Sequence, residues 1–234
     1  QVAIGGDGGL LPRAIESDTV VLTPGQRVDV LVTPRGAPGE RLIVRWVPYE
    51  RGYGSTELRD DETLFEIELA EGEQASEEPP EPVLERVIEP LDTTDAVTHS
   101  LELTQSEAGG PLELGINGVA GWDAPPLQAR IGETHVWTVS NHMDWAHPFH
   151  LHGYFFQVLD QNGVEPEVLE WLDTVDVPVD ESVRIAVHFD ERPGMWMFHC
   201  HILDHAEAGM MGMVHVADEG ESHDVASHAR HMTP

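Results

Sequence analysis

Lysine is absent from the 234 residues, and the 12 basic side chains, all arginine, face 43 acidic ones, for a formal net charge of -31. Nucleic acids and anionic membranes are bound through basic patches, so neither is an expected partner. Crowded carboxylates repel one another, and salt screens that repulsion, so stability is expected to rise with ionic strength. No apolar run approaches the roughly 20 residues that a helix needs to cross a bilayer, and no membrane span is expected. A single cysteine excludes an internal disulfide and argues against the closed, cysteine-rich zinc sites of small domains.

Histidine, by contrast, is plentiful and clustered. His199-Cys200-His201 is followed by His205 and Met210, and upstream the run HPFHLHG extends from His147 to Gly153. Successive side chains of a strand point to opposite faces, so Cys200 can serve one metal ion while His199 and His201 reach another on the far side. His150 and His152 share a face in the same way; His147, an odd number of residues away and held by Pro148, can face elsewhere. Merging the two runs gives one site of His147, Cys200, His205 and Met210, and a second of His150, His152, His199 and His201. Two imidazoles, a thiolate and a weak thioether make the blue-copper electron-transfer pattern, while an all-imidazole set suits copper that meets dioxygen. Zinc also accepts two histidines and a cysteine, but a lone cysteine with a downstream methionine favours copper. Only its spacing from His205 selects Met210 over Met211, in a methionine run that otherwise reads as gap-filling core. His99, His135, His142, His188 and His215 form no further His-x-His pair and read as ordinary hydrogen-bonded or solvated side chains.

HPFHLHG at 147–153 and HCHILDHAEAGMM at 199–211 resemble the third-domain signatures of the multicopper oxidases, most closely the bacterial laccase-like ones. DGGLLPRAIESDTVVLTPGQRVDVLV at 7–32 is similar to the end of that family's second domain, and WLDTVDVPVDESVRIAVHFDERPGMWMFHCH at 171–201 to the strands leading into the copper motif. The resemblance implies copper as cofactor: type 1 copper on His147, Cys200, His205 and Met210, type 2 copper on His150, and the binuclear type 3 coppers on His152, His199 and His201. Cys200, His199 and His201 are then the electron path between the sites. The implied activity takes electrons one at a time from a phenolic or similar small-molecule reductant and reduces dioxygen to water. A cuprous or metal-ion oxidase of copper tolerance, and a blue-copper electron-transfer module, are the alternatives. The family surrounds its cluster with eight histidines, half of them from two His-x-His motifs of the first domain, whereas only HLH and HCH occur here. The chain is therefore expected to be the C-terminal part of a longer oxidase, with the N-terminal portion supplying the remaining ligands. A secreted or periplasmic location is implied on the same ground. Asp173, Asp176 and Asp204 are acidic residues near the copper motifs, without an assigned part in proton delivery. Asp144 and Trp145 are candidates for the substrate approach, and His147 or His205 for the exposed edge at which a reductant docks.

Apolar alternation with period two recurs along the chain: Val28, Val30 and Val32; Leu42, Val44 and Trp46; Phe65, Ile67 and Leu69; Leu101 and Leu103; Trp137 and Val139; Val183, Ile185, Val187 and Phe189. These are predicted half-buried strands, punctuated by turn signals at Pro24-Gly25, Asn162-Gly163 and Pro193-Gly194. Many short strands with little helical periodicity predict an all-β, antiparallel Greek-key sandwich, and the family resemblance makes it cupredoxin-like. The predicted division is the C-terminal part of a second domain at 1–75, an acidic Pro-rich linker at 76–92, a complete copper-binding domain at 93–218 and a His-containing tail at 219–234. The acidity and missing lysine resemble proteins of salt-loving organisms, with an acidic protein of a high-GC genome as the alternative.

Overall fold

A computed structural model of the chain describes residues 1–52, 60–71, 84–106 and 113–218. Most of the predicted linker's acidic stretch, 72–83, and the tail with His223, His228 and His231 lie outside the described residues. Five strands come first: β1 (Val2–Gly6), β2 (Gly9–Glu16), β3 (Asp29–Leu31), β4 (Arg41–Trp46) and β5 (Glu62–Glu68). They form a three-stranded sheet in the order β2-β1-β3 and a two-stranded sheet β4-β5.

Ten further strands and one short helix follow: β6 (Val97–Gln105), β7 (Leu114–Ile116), β8 (Leu127–Arg130), β9 (Thr134–Asn141), β10 (His147–Leu151), β11 (Phe156–Gln161), β12 (Thr174–Val177), β13 (Glu181–His188), β14 (Gly194–Cys200), α1 (Leu203–Glu207) and β15 (Met211–Ala217). They build two five-stranded sheets, β12-β10-β14-β15-β8 and β11-β13-β9-β6-β7. Most neighbours are antiparallel; β8 with β15 and β6 with β9 are parallel pairs. Alternate residues of both sheets meet in one core: Leu101, Leu103, Trp137, Val139, Val183, Ile185 and Val187 from one, and Phe149, Leu151, Val175, Phe198, Val214 and Val216 from the other. This is the geometry of a β-sandwich, in which inward residues of two facing sheets interdigitate. Trp137 is fully buried and packs edge-on against Phe198 and Phe149, which ties the two sheets together beneath the histidine motifs.

The predicted strands of this second unit bury their apolar face, but those of the first segment do so only in part. Val30, Leu31, Ile43, Leu64 and Phe65 are exposed, Phe65 at 54%. Alternation marks which face of a strand is apolar; burial needs a second layer, and among the described residues none covers β3, β4 and β5.

The first segment is nonetheless anchored to the sandwich by specific contacts. Gly8 N–H donates to the Trp171 carbonyl at 2.8 Å, and Thr23 Oγ1 donates to Asp176 at 2.7 Å. Arg27 grips the Asp173 carboxylate with two bonds of 2.7 Å.

Candidate metal centre

The strand β14 carries the arrangement by its pleat. Phe198 and Cys200 point into the sandwich core, so His199, between them, points out through the other face of the sheet. The neighbouring strand β10 runs antiparallel with Phe149 opposite Cys200 and His150 opposite His199. His147, Phe149 and Leu151 share the inward parity and are all buried, while His150 belongs to the outward one. One sheet therefore presents a cysteine and a histidine on its inner side and histidines on its outer side.

On the inner side α1 closes the site. Its five residues leave Leu203 in solvent and turn His205 and Ala206 inward. The chain then returns so that Met210 N–H donates to the His205 carbonyl and Cys200 N–H donates to the Met210 carbonyl, each at 3.0 Å. Cys200 Sγ lies 3.5 Å from His147 Nδ1 and 3.6 Å from His205 Nδ1, and the two Nδ1 atoms are 3.1 Å apart. Met210 is fully buried beside them, whereas Met211 starts β15 opposite His199. Trp145 packs edge-on against the His205 ring at 5.0 Å between centroids.

The chemistry of this donor set fits a cation. Burial first, then His205 and Arg51, push the His147 imidazole down to about 3, and burial lowers His205 as well. Burial pushes the Cys200 thiol up to about 12. Two neutral imidazoles thus aim ring nitrogens at each other and at one sulfur in a place that rejects protons on nitrogen. Donors of one N/S-ligated metal ion, with bonds of about 2.0 to 2.3 Å, stand about 3 to 4 Å apart, and these three do. A metal cation replaces the thiol proton and satisfies both nitrogens at once.

On the outer side His150, His152, His199 and His201 surround one space, with ring centroids 4.8 to 5.7 Å apart between neighbours. His152 Nε2 and His199 Nε2 approach to 3.0 Å. His199 Nδ1–H donates to the Cys200 carbonyl at 2.7 Å, which leaves its Nε2 lone pair for the outer space. Burial lowers both His152 and His199, so neutral, ligating imidazoles are favoured here too. His150, His152 and His199 offer ligand atoms within 4.8 Å of one another. The His201 ring is pressed by the first segment: a Cβ on Gly25, whose φ is +96°, would stand 2.7 Å from its Cδ2. Only glycine serves at such a position, because it both tolerates left-handed backbone and leaves room for the ring.

The structure thus brings together all eight residues singled out by the motifs, in two groups divided by one sheet. His99 and His135 sit apart from both groups, with rings stacked at 5.2 Å, and His188 and His215 hydrogen-bond to Thr134 and Gln128. Of the two candidate edges, His205 keeps 6% of its surface exposed and His147 none. Missing from the sequence reading were residues of the first segment: Gly25, which presses on His201, and Asp7, Thr23 and Arg27, which hydrogen-bond to Thr174, Asp176 and Asp173 on or just before the strand beside His150, across sequence separations of 146 to 167. The PGQR run was legible as a turn, but nothing in it pointed to a histidine so distant.

Known proteins resemble this chain in sequence and fold. Residues 91–220 match the family profile described as multicopper oxidase. The chain is 27% identical to a laccase of Bacillus subtilis over 93% of its own length and 46% of the relative's. It is 30% identical to a laccase of Haloferax volcanii over 80% of its own length and 37% of the relative's. Among solved structures it superposes on the multicopper oxidase McoA of Aquifex aeolicus with a TM-score of 0.78 at 26% identity, covering 92% of this chain and 49% of that one. A multicopper oxidase of Pediococcus acidilactici matches with a TM-score of 0.75 at 30% identity, covering 95% and 45%. The chain spans less than half the length of these relatives. Its profile match, over more than half of the chain, together with the two histidine groups on either side of one sheet, places it in the multicopper oxidases, a copper-using family of oxidoreductases.

Proposed function

We propose that this chain is the C-terminal portion of a laccase-like oxidase. In this reading His147, Cys200, His205 and Met210 hold a type 1 copper, His150 a type 2 copper, and His152, His199 and His201 the type 3 pair. The observation that carries it is the opposition of the two groups across β14, with Cys200 in one and its two sequence neighbours in the other. Copper bound there supplies one-electron redox chemistry, oxidising a reductant at the buried site and reducing dioxygen to water at the cluster.

The chain's own part is to hold and connect. His205, the ligand with residual exposure, is the entry edge for an electron, and Trp145 packed on its ring covers that edge against bulk water. From Cys200 two short routes lead outward: one through the peptide bonds to His199 and His201, the other through the Cys200 carbonyl to the His199 Nδ1–H that it accepts. The buried sandwich keeps the donors fixed, so little reorganisation accompanies a change of charge. Hydrogen bonding around the sulfur and the weak thioether donor of Met210 would tune the potential of a copper held there.

An N-terminal portion of the same oxidase completes the cluster in this proposal. Support comes from the chain's span of under half its relatives, from the four histidines the outer group holds where the family uses eight, and from the exposed apolar side chains of β3, β4 and β5. The proposed division is 1–75 as part of a second domain, 76–92 as linker, 93–218 as the copper domain and 219–234 as tail. No helix among the described residues is long and apolar enough to cross a membrane; a secreted or periplasmic site of action is proposed from the family. A phenolic or similar reductant is the proposed substrate. Oxidation of cuprous ion in copper tolerance is the second reading, favoured by a match to the copper resistance protein A of Escherichia coli, 35% identical over 44% of this chain.

Copper content and oxygen uptake test the proposal together. The oxidase assembled with its N-terminal portion is expected to hold four coppers and to consume oxygen with a phenol. A single blue copper with no oxygen uptake would reduce the protein to an electron carrier, and uptake with cuprous ion alone would select the second reading.

A further inference from the structure

His150 is the one outer histidine whose far nitrogen is engaged by a chain of groups ending in the first segment. Its Nδ1 lies 2.9 Å from the Asp173 backbone carbonyl and 2.9 Å from Thr174 Oγ1. A carbonyl can only accept, so Nδ1 carries the proton and Nε2 keeps its lone pair. Thr174 faces His150 directly across the β10–β12 ladder and is fully buried. Its hydroxyl donates onward to Asp173 Oδ1 at 2.8 Å. Both carboxylate oxygens of Asp173 then accept from Arg27, Oδ1 from Nη1 and Oδ2 from Nη2, each at 2.7 Å. Asp7 braces the same turn, its Oδ2 accepting from the backbone N–H groups of Asp173 and Thr174 at 3.4 and 3.3 Å.

The hydrogen bonds of this chain converge on Asp173. His150 Nδ1–H donates a hydrogen bond to Thr174 Oγ1, the Thr174 hydroxyl donates to Asp173, and Arg27 donates to Asp173 from the opposite side. The Asp173 carboxylate accepts on both oxygens from the Arg27 guanidinium, and on Oδ1 also from Thr174. A fixed carboxylate accepts only, so the Thr174 hydroxyl cannot turn its hydrogen toward the imidazole. Arg27 also donates to the Gly25 carbonyl at 2.9 Å, and Gly25 is the residue pressed against His201. One arginine from the first segment therefore steadies two outer histidines.

We infer that Arg27, Asp173 and Thr174 form a positioning relay that holds the orientation of His150, whose tautomer the Asp173 backbone carbonyl already sets, and that copper retention at the outer group depends on it. The inference rests on the proposed oxidase reading for the identity of the metal. Groups beyond the ligands that fix a histidine in this way typically affect metal affinity about 10- to 100-fold.

The test is a titration of copper(II) alone into the full chain, following the blue absorption of the Cys200 site and the electron paramagnetic resonance signal of non-blue copper on imidazoles. Thr174→Val, which removes the hydroxyl at constant shape, and Asp173→Asn are expected to weaken the non-blue site by about 10- to 100-fold. The blue absorption should stay at its wild-type value, and any fall in the melting temperature of the metal-free chain should leave the sandwich folded at the temperature of the titration. Thr174→Ser, which keeps the hydroxyl, should bind like the wild type. Non-blue copper held as tightly in Thr174→Val and Asp173→Asn as in the wild type would overturn the relay, as would an equal loss at both sites. If the wild type never turns blue while Thr174→Val still weakens the non-blue copper, the oxidase reading fails and the relay stands.

Discussion

The inner and outer histidine groups share one sheet yet differ in how they are finished. The inner group is built from β10, β14 and α1, sealed by the core, and its three donors lie within about 3.6 Å of one another. The outer group is partly open, holds four imidazoles, and leans for support on residues more than a hundred positions earlier in the chain. The difference teaches that a single strand pleat creates both sites but completes only one. A buried site draws its rigidity from its own sandwich, whereas a site on a sheet's outer face needs another layer to supply ligands and braces.

The comparison breaks most severely at Cys200. Cys200→Ser is expected to abolish the blue colour and all oxidase activity while non-blue copper still binds to the outer histidines; absorption and copper content of the variant check this. Loss of the shared core is next. Phe198→Ala, which removes packing on Trp137 between the two groups, is expected to cost about 3 to 5 kcal/mol in a denaturant melt. Both sites should lose occupancy together, since β14 carries a residue of each.

A smaller effect sharpens the contrast. Met210→Leu keeps the volume near the inner site but removes a weak thioether donor, so the potential is expected to rise in a redox titration while copper is retained. Loss of the copper would mean that Met210 holds the ion and does not merely tune it. Smallest is the effect of salt on the whole surface. The melting temperature is expected to rise between dilute buffer and molar chloride, because screening relieves repulsion among the 43 acidic side chains; a flat profile would assign the acidity no role in stability.

Much of the inner site was legible in the sequence because it depends on parity and short loops. The alternation His199-Cys200-His201 and the three-residue step from His147 to His150 fix faces without knowledge of the fold. The spacing from Cys200 to His205 and Met210 fits within one short helix and a return turn. The strands of the sandwich were legible for the same reason, from Trp137-Val139 and Val183 to Phe189. Legibility ended where contacts are remote. Arg27 meets Asp173 across 146 positions, and no local pattern distinguishes that aspartate from Asp176 or Asp204. The pairing of β6 with β9 and of β8 with β15 in parallel was equally hidden, since periodicity gives a strand's faces and not its neighbours. Exposure of Val30, Ile43 and Phe65 was hidden because alternation marks an apolar face without saying what covers it.

The most direct measurement is anomalous diffraction at the copper edge from crystals of the copper-loaded chain. The account predicts one copper in bonding contact with Cys200 Sγ, His147 Nδ1 and His205 Nδ1, and separate copper among His150, His152, His199 and His201 on the opposite side of β14. Copper bound only to the outer histidines, with the Cys200 sulfur uncoordinated, would contradict it.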